Sequence, residues 1–241
     1  YPHTNGVEGF YQVQTDIPIL PGVLKANGYF VGIKGKVGHS TPYSPWDWDL
    51  AEQKLERRGA TRSPKSFSDF IAKAIAQARA ANKPFYLSVN ATDPHKPFFG
   101  EEKSKAAGYD DFPPSRLFPE KDIPAPKFLP DLPIVRTEVK QYYDCVRRAD
   151  DCVGATLKAL QESGEADNTV VMFLSDHGMP FPFAKTNVYH HSTRTPWLVR
   201  WPGKVKPGSV DAEHMISAVD FMPTVLDIVG IEHPPGLEGM S

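Results

Sequence analysis

The stretch that decides the fold is Thr169–Gly178, which reads Thr-Val-Val-Met-Phe-Leu-Ser-Asp-His-Gly. Its first six residues are apolar or β-branched, a pattern typical of a strand that is buried on both faces. A carboxylate and an imidazole, Asp176 and His177, follow this strand directly. Side chains that follow parallel strands collect at the carboxyl edge of the sheet, where α/β proteins bind their ligands. We therefore predict that this stretch delivers two ligand side chains to a functional edge.

Helix and strand patterns alternate along the rest of the chain. Apolar residues recur at helical spacing in four segments, 19–28, 66–81, 138–163 and 217–229. Strand-like runs lie beside them, at 29–33, 84–89, 169–174 and 197–200. This alternation predicts an α/β fold with a doubly wound, mostly parallel sheet and helices on both faces. Residues 40–64 and 94–133 lack a period and are predicted to be loops, with a proline-rich insertion at 100–136.

The composition excludes several classes of function. A net charge of −2 without a block of basic residues argues against nucleic acid as a partner. No apolar run reaches the roughly 20 residues that a membrane span needs. Cys145 and Cys152 lie seven residues apart in a helical pattern, a rise of about 10 Å, which is too far for a disulfide. Both cysteines are therefore predicted to be ordinary buried helix positions.

The Asp176–His177 pair has two interpretations. The two side chains can be metal ligands, or Asp176 can be a helix N-cap with His177 an exposed neighbour. Calcium or magnesium would demand further oxygen ligands, whereas zinc or manganese would accept the imidazole more readily. Because two groups from one strand end cannot complete a coordination shell, any metal site must include residues from elsewhere.

Two lysines and two histidines also follow strand-like segments. Lys36 comes after a strand and a glycine, His39 lies three residues later, and His95 is held between two prolines. Lys185 lies nine residues beyond Asp176. Beside a metal, lysine can neutralise developing negative charge and histidine can exchange protons near neutral pH. Without a metal, the same side chains are ordinary solvated loop residues, and both interpretations remain open at this point.

Five segments together resemble the sulfatase family of the alkaline phosphatase superfamily, in the family's order. They are Tyr1–Val7, Gly28–Lys36, Asp93–His95, Asp167–Gly178 and Ala218–Leu226. The resemblance implies an alkaline-phosphatase-like fold in which residues 1–241 form a single catalytic domain that is incomplete at both ends. The small C-terminal subdomain of the family is expected to be missing. Within the family, Asp176–Tyr189 is most similar to the heparan N-sulfatase branch of glycan sulfatases, whereas the spacing in Lys36–His39 resembles iduronate 2-sulfatases.

The resemblance implies a role for each candidate residue. The Asp-His pair would bind the divalent cation, usually Ca²⁺ in this family, or another such as Mg²⁺. Lys36 and Lys185 would contact the sulfate, His39 would lie near the nucleophile, and His95 would lie near the leaving group. The implied activity is hydrolysis of sulfate esters or sulfamates on a sulfated saccharide such as a glycosaminoglycan. Glycan-degrading members of the family are mostly periplasmic, secreted or lysosomal, and the same compartments are expected here.

The sequence departs from the family pattern at its beginning. Sulfatases attack with a formylglycine made from a Cys or Ser in a Cys/Ser-x-Pro/Ala-x-Arg motif, and neither this motif nor the family's N-terminal aspartate pair occurs in the 241 residues. The resemblance places the formylglycine just upstream of Tyr1. We therefore expect the chain to be an internal fragment that is inactive alone.

Two rival functions and the choice of substrate stay open. A metal-dependent phosphodiesterase or phosphatase of the same superfamily would need further ligands, for which His190, His191 and His214 are available. A noncatalytic, sulfatase-like binding domain is the other rival. In a sulfatase, His190, His191 and Arg194 are predicted to line the pocket mouth, where Arg suits a sugar carboxylate or a second sulfate. The oligomeric state is not predicted.

Overall fold

A computed structural model describes residues 7–8, 11–12, 18–39, 46–52 and 60–241. The helices are α1 (Leu20–Ala26), α2 (Pro64–Ala80), α3 (Glu102–Ala106), α4 (Pro133–Glu162), α5 (His190–Thr193) and α6 (Phe221–Val229). The strands are β1 (Val7–Glu8), β2 (Tyr11–Gln12), β3 (Phe30–Lys34), β4 (Leu50–Glu52), β5 (Phe85–Val89), β6 (Val171–Leu174) and β7 (Trp197–Arg200). Helices and strands alternate, so the predicted α/β class is confirmed.

The strands pair in three groups. β3 is the centre of a parallel sheet in the order β4-β3-β5, with Ile33 opposite Ala51 on one side and Ser88 on the other. β6 and β7 form an antiparallel pair, and β1 and β2 form a two-residue antiparallel pair. Within the described ranges, no ladder joins β6 to β5. The three-stranded sheet is thus parallel, as predicted, whereas β7 runs in the opposite direction to β6.

Successive residues of the central strands face opposite helical layers. Phe30 of β3 packs in a cluster with α2 and α4, while Val31 packs with α1 and α6. On β5, Leu87 joins the first cluster and Tyr86 the second. This alternation follows from the period of two in a strand, and it confirms that helices cover both faces of the sheet. Val171 also packs against the α2–α4 cluster, which places β6 on the same layer.

The loop predicted at 94–133 buries more than expected. Phe98 and Ile123 belong to a third core cluster that packs against Val139 of α4. This proline-rich segment therefore packs against one side of α4. Its aromatic and branched side chains are stabilised there because their apolar area is removed from water.

Two helices begin earlier than the sequence pattern predicts, each at a proline. α4 begins at Pro133 rather than at 138, so the predicted 100–136 insertion ends inside a helix. α2 likewise begins at Pro64, inside the segment predicted to be a loop. Proline is favoured in the first turn of a helix, where its missing N–H would have had no partner. The three-residue strand β4 was also expected to be loop.

Both cysteines are buried and free, in agreement with the prediction. Burial is the main reason that the pKa of each thiol is raised to about 12.

Among the described helices, none combines the length and apolarity that a bilayer crossing requires.

Candidate functional site

The carboxyl ends of β3 and β5 are joined by one asparagine. Asn90 donates from Nδ2 to the carbonyl oxygens of Lys34 and Gly35, at 3.2 and 3.1 Å. Gly35 has a φ of +66° and Lys36 a φ of +55°, so the chain turns sharply through two left-handed residues. A Cβ at Gly35 would lie 2.6 Å from the carbonyl oxygen of Asn90. Only glycine suits this contact, and the turn places Lys36 at the shared edge of the two strands.

Lys36 is half-buried at this edge, and the short helical turn Val37–His39 follows it. The side chain of His39 lies outside the described residues, so its predicted role near the nucleophile stays a prediction. Left-handed backbone in a non-glycine residue is uncommon and concentrates at functional sites. The conformation of Lys36 therefore agrees with a positioned side chain, and its predicted contact with sulfate also stays a prediction.

Asp176 and His177 follow β6 as the sequence indicated. The Nδ1 atom of His177 lies 2.7 Å from the carbonyl oxygen of Gly178. Because a carbonyl oxygen can only accept, Nδ1 carries the proton and Nε2 keeps its lone pair in the neutral ring. This Nε2 lies 3.5 Å from Oδ2 of Asp176. Fixing one ring nitrogen through a backbone carbonyl is the usual way in which proteins orient a metal-binding histidine.

The backbone after this pair is clamped to the short helix α5. The N–H of Gly178 donates to the carbonyl oxygen of Ser192 at 2.9 Å. A Cβ at Gly178 would lie 1.8 Å from the carbonyl oxygen of His191 and 2.6 Å from that of Ala184. The backbone at Gly178 lies so close to these carbonyl groups that no side chain fits there. The contacts fix Asp176 and His177 relative to α5.

The loop that carries Lys185 has a tightly turned backbone. Phe183 and Thr186, on either side of the lysine, have φ values of +66° and +59°. Left-handed conformations are strained for bulky and β-branched residues, so the surrounding contacts must hold them. Lys185 itself is half-buried between these exposed neighbours.

The three predicted substrate residues lie together on or beside α5. His190 and His191 are exposed, with ring centroids 5.8 Å apart, and His191 stacks on Phe128 at 4.3 Å. Arg194 caps α5, where its N–H donates to the carbonyl oxygen of His190. By contrast, Nδ1 of His214 lies 2.7 Å from Asp211 in an exposed pair of its own.

His95 lies in a turn that follows β5. Its N–H donates to the carbonyl oxygen of Thr92 at 3.0 Å, and its Nδ1 lies 2.6 Å from the carbonyl oxygen of Lys96. The imidazole is exposed. As in His177, the carbonyl contact puts a proton on Nδ1 and leaves Nε2 with its lone pair in the neutral ring.

Several buried charges near this edge were not identified from the sequence. Lys34, which is 1% exposed, lies with Nζ 2.7 Å from the hydroxyl of Ser66 and 3.2 Å from Glu52. Burial lowers the pKa of this lysine. Arg62 and Arg148 are also buried, and both contact the carboxylate of Asp93. Lys34 and Arg148 are charged residues inside apolar patterns, whereas Arg62 lies in a segment without a period and carries no such signal.

The candidate metal donors form a pair rather than a complete site. No cluster of three or more His, Cys, Asp or Glu side chains suited to a metal occurs in the part of the chain that the structure describes. Asp176 and His177 therefore offer one carboxylate and one imidazole, which can supply two ligands of a coordination shell.

Comparisons with known proteins agree with the fold and the motifs. The sulfatase family model matches residues 1–231. N-sulphoglucosamine sulphohydrolase of Homo sapiens is 31% identical over 96% of this chain and 49% of its own length. An endo-4-O-sulfatase of Bacteroides thetaiotaomicron is 31% identical over 80% of this chain and 38% of its own length. The chain thus spans about half or less of these two relatives.

A solved structure in complex with its substrate D-glucosamine-2-N,6-O-disulfate superposes with a TM-score of 0.71 and 19% identity. The match covers 100% of this chain and 67% of that one. At this level of identity the superposition shows a shared fold, which is the alkaline-phosphatase-like architecture expected from the motifs.

Proposed function

Because the chain belongs to the sulfatase family, we propose that the whole protein hydrolyses sulfate esters or sulfamates on a sulfated glycan. The observation that carries the proposal is the pair at the end of β6. Nε2 of His177 and Oδ2 of Asp176 lie 3.5 Å apart, with the imidazole oriented by the Gly178 carbonyl. A glycosaminoglycan is the proposed substrate class, since a relative that is 31% identical over 96% of this chain is named for a sulfated glucosamine.

Asp176 and His177 would hold a divalent cation, Ca²⁺ or another such as Mg²⁺, together with ligands from outside this pair. When bound, the cation supplies positive charge that stabilises the negative charge on the sulfate oxygens. The nucleophile is proposed to be a formylglycine upstream of Tyr1. His39 is proposed to lie near that nucleophile, at the end of β3.

The other residues would bind the sulfate and serve the leaving group. Lys36 and Lys185 would place ammonium groups against the sulfate oxygens, where negative charge is spread in the transition state. His95 would hold a proton at Nε2 for the leaving oxygen or nitrogen. His190, His191 and Arg194 would contact the saccharide, and a guanidinium suits a sugar carboxylate or a second sulfate. A periplasmic, secreted or lysosomal site of action would bring the protein to such glycans.

The test is sulfate release by the whole protein. Inorganic sulfate is measured with N-sulfated glucosamine, O-sulfated glucosamine and 4-nitrophenyl sulfate, with bis(4-nitrophenyl) phosphate as the rival substrate. We expect Lys185→Ala to lower kcat/KM for the sulfated sugar by about 100-fold or more, the usual cost of losing one group that stabilises transition-state charge. Lys206→Ala, which removes an exposed lysine elsewhere, should leave it unchanged.

Two further measurements complete this experiment. Chelation should abolish sulfate release, and added Ca²⁺ should restore it. Residues 1–241 alone should release no sulfate. Turnover of the phosphodiester without turnover of any sulfate ester or sulfamate would contradict the proposal and favour a phosphodiesterase.

A further inference from the structure

A buried ion cluster lies directly behind the His95 turn. The carboxylate of Asp93 is 1% exposed and receives Nε of Arg62 at 2.8 Å on Oδ1. Arg148, which is 0% exposed, donates from Nε to Oδ2 at 2.5 Å and from Nη2 to Oδ1 at 3.1 Å. Removing three charges from water costs several kcal/mol per ion, and apolar residues of the same volume often stabilise a core equally well. A contribution to the stability of the core therefore does not explain why three charged residues are buried here.

Arg148 attaches the cluster to a rigid part of the fold. It projects from α4, and its Nη1 donates to the carbonyl oxygens of Tyr109 and Phe112, both at 2.9 Å. Burial opposes its charge, but the hydrogen bond and the charge of Asp93 outweigh this and raise the pKa of the guanidinium. Arg148 thus stays charged and holds Asp93 against the long helix.

Arg62 connects the same carboxylate to the backbone of the histidine. Its Nη2 donates to the carbonyl oxygen of His95 at 3.1 Å, and its guanidinium lies 4.1 Å from the ring centroid of Tyr109. One arginine therefore holds both ends of the segment Asp93–His95. The N–H of His95 adds a third point of attachment through Thr92, at 3.0 Å.

We propose that Arg62 and Arg148 are positioning residues that fix His95 for proton transfer to the leaving group. This inference rests on the proposed function, in which His95 serves the departing atom. The protonated imidazole gives its Nε2 proton to the bridging oxygen or nitrogen as the bond from that atom to sulfur breaks and the sulfur forms a bond to the proposed nucleophile. The ring is left neutral and keeps its Nδ1 proton on the Lys96 carbonyl. Neither arginine contacts the substrate in this role.

The variant Arg62→Lys separates positioning from general damage. Lysine keeps the positive charge but cannot bridge the carboxylate and the His95 carbonyl with a planar fork. We expect kcat on a sulfated sugar, a poor leaving group, to fall about 10- to 100-fold, as a misplacement of about 1 Å would cause. On 4-nitrophenyl sulfate, whose leaving group needs no proton, kcat should fall less than roughly threefold.

Two comparisons complete the kinetic test. Arg147→Lys is the matched control, because Arg147 pairs with two carboxylates, Asp150 and Asp151, and contacts neither Asp93 nor His95 in the pairs that the structure shows. Arg147→Lys should leave kcat unchanged on both substrates. In a His95→Asn background, Arg62→Lys should have no further effect on the sulfated sugar, because residues that act as a unit are not additive. An equal loss on both substrates, or a full effect without His95, would overturn the inference.

A second readout does not depend on activity. Hydrogen exchange at the His95 amide should accelerate about tenfold or more in Arg62→Lys, since the turn loses an attachment, while core amides of α2 and α4 keep their wild-type rates. If the protein hydrolyses no sulfated compound, the proposed function fails, yet this exchange still decides whether Arg62 holds the turn. Unchanged exchange at His95 would overturn the positioning role.

Discussion

Gly178→Ala tests whether the close approach behind the Asp-His pair is as tight as the structure indicates. The new methyl carbon would lie 1.8 Å from the carbonyl oxygen of His191 and 2.6 Å from that of Ala184. Ordinary van der Waals contact begins at 3.4 Å, so the backbone must open by about 1.6 Å. Both obstructing atoms belong to the main chain and cannot rotate away. The substitution should therefore separate the segment after β6 from α5.

The expected cost combines two terms. Overpacking in a closely fitted site costs about 1–3 kcal/mol, and a backbone collision of this size belongs at the upper end. Loss of the hydrogen bond from Gly178 to Ser192, 2.9 Å long, adds about 1 kcal/mol. The sum is about 3–4 kcal/mol. At about 2–4 °C per kcal/mol for a domain of this size, Tm should fall by roughly 6–16 °C.

Gly154→Ala is the matched control, because it adds the same methyl group with the opposite expected sign. Gly154 is an exposed position of α4, and a Cβ there meets nothing within 4 Å. Alanine should stabilise this helix by about 0.5–1 kcal/mol. Thermal unfolding followed by circular dichroism measures both variants. Calcium titration calorimetry should show weaker binding for Gly178→Ala alone, since its clash lies next to His177. Equal Tm values for the two variants would refute the reasoning.

Two further predictions concern the cysteines and a helix cap. With thiol pKa values of about 12, Cys145 and Cys152 hold only about one thiolate in ten thousand at pH 8, so Ellman's reagent should modify neither in the native protein and both in denaturant. Rapid modification of the folded protein would contradict the burial. Asp220 accepts the N–H groups of Ser217 and Met240 at 2.8 and 3.0 Å, and these backbone hydrogen bonds lower its pKa below 3.8. The ionised carboxylate stabilises the fold fully above the pKa of the unfolded state, and this stabilisation is lost as pH falls through the lower pKa of the folded state. In urea unfolding, Asp220→Asn should therefore be less stable than the wild type at pH 7 and equally stable in acid. A difference in stability that does not depend on pH would be inconsistent with the cap.

The sequence could predict features that depend on a local period. The apolar run before Asp176 predicted the strand β6 correctly, but the burial that such a run indicates is only partial, since Phe173 and Leu174 are 40% and 37% exposed. The helical spacing of Phe70, Ile71 and Ala74 likewise predicted the buried stripe of α2. In α2 the local pattern and the final packing agree.

Features that depend on distant partners could not be predicted. β4 has only three residues, and its strand character comes from pairing with β3. The start of α4 at Pro133 was missed because residues 133–136 were assigned to the proline-rich insertion, although proline is compatible with the first turn of a helix. Arg148 finds its carboxylate 55 residues away, at Asp93. No local pattern carries that information.

His95 and His177 share one local hydrogen-bond geometry, although their proposed roles differ. In His95 and in His177, Nδ1 contacts the carbonyl oxygen of the next residue, at 2.6 and 2.7 Å. The acceptor belongs to the adjacent peptide, so the same nitrogen carries the proton wherever the local turn is kept. In the proposed roles, Nε2 would be the reactive atom in both, carrying a proton in His95 and binding a metal in His177. What distinguishes the two is the environment beyond the ring: Oδ2 of Asp176 lies 3.5 Å from Nε2 of His177, whereas the backbone of His95 is held by Arg62. The same local geometry can thus suit a proton donor and a metal ligand, because the charged groups nearby differ between the two histidines.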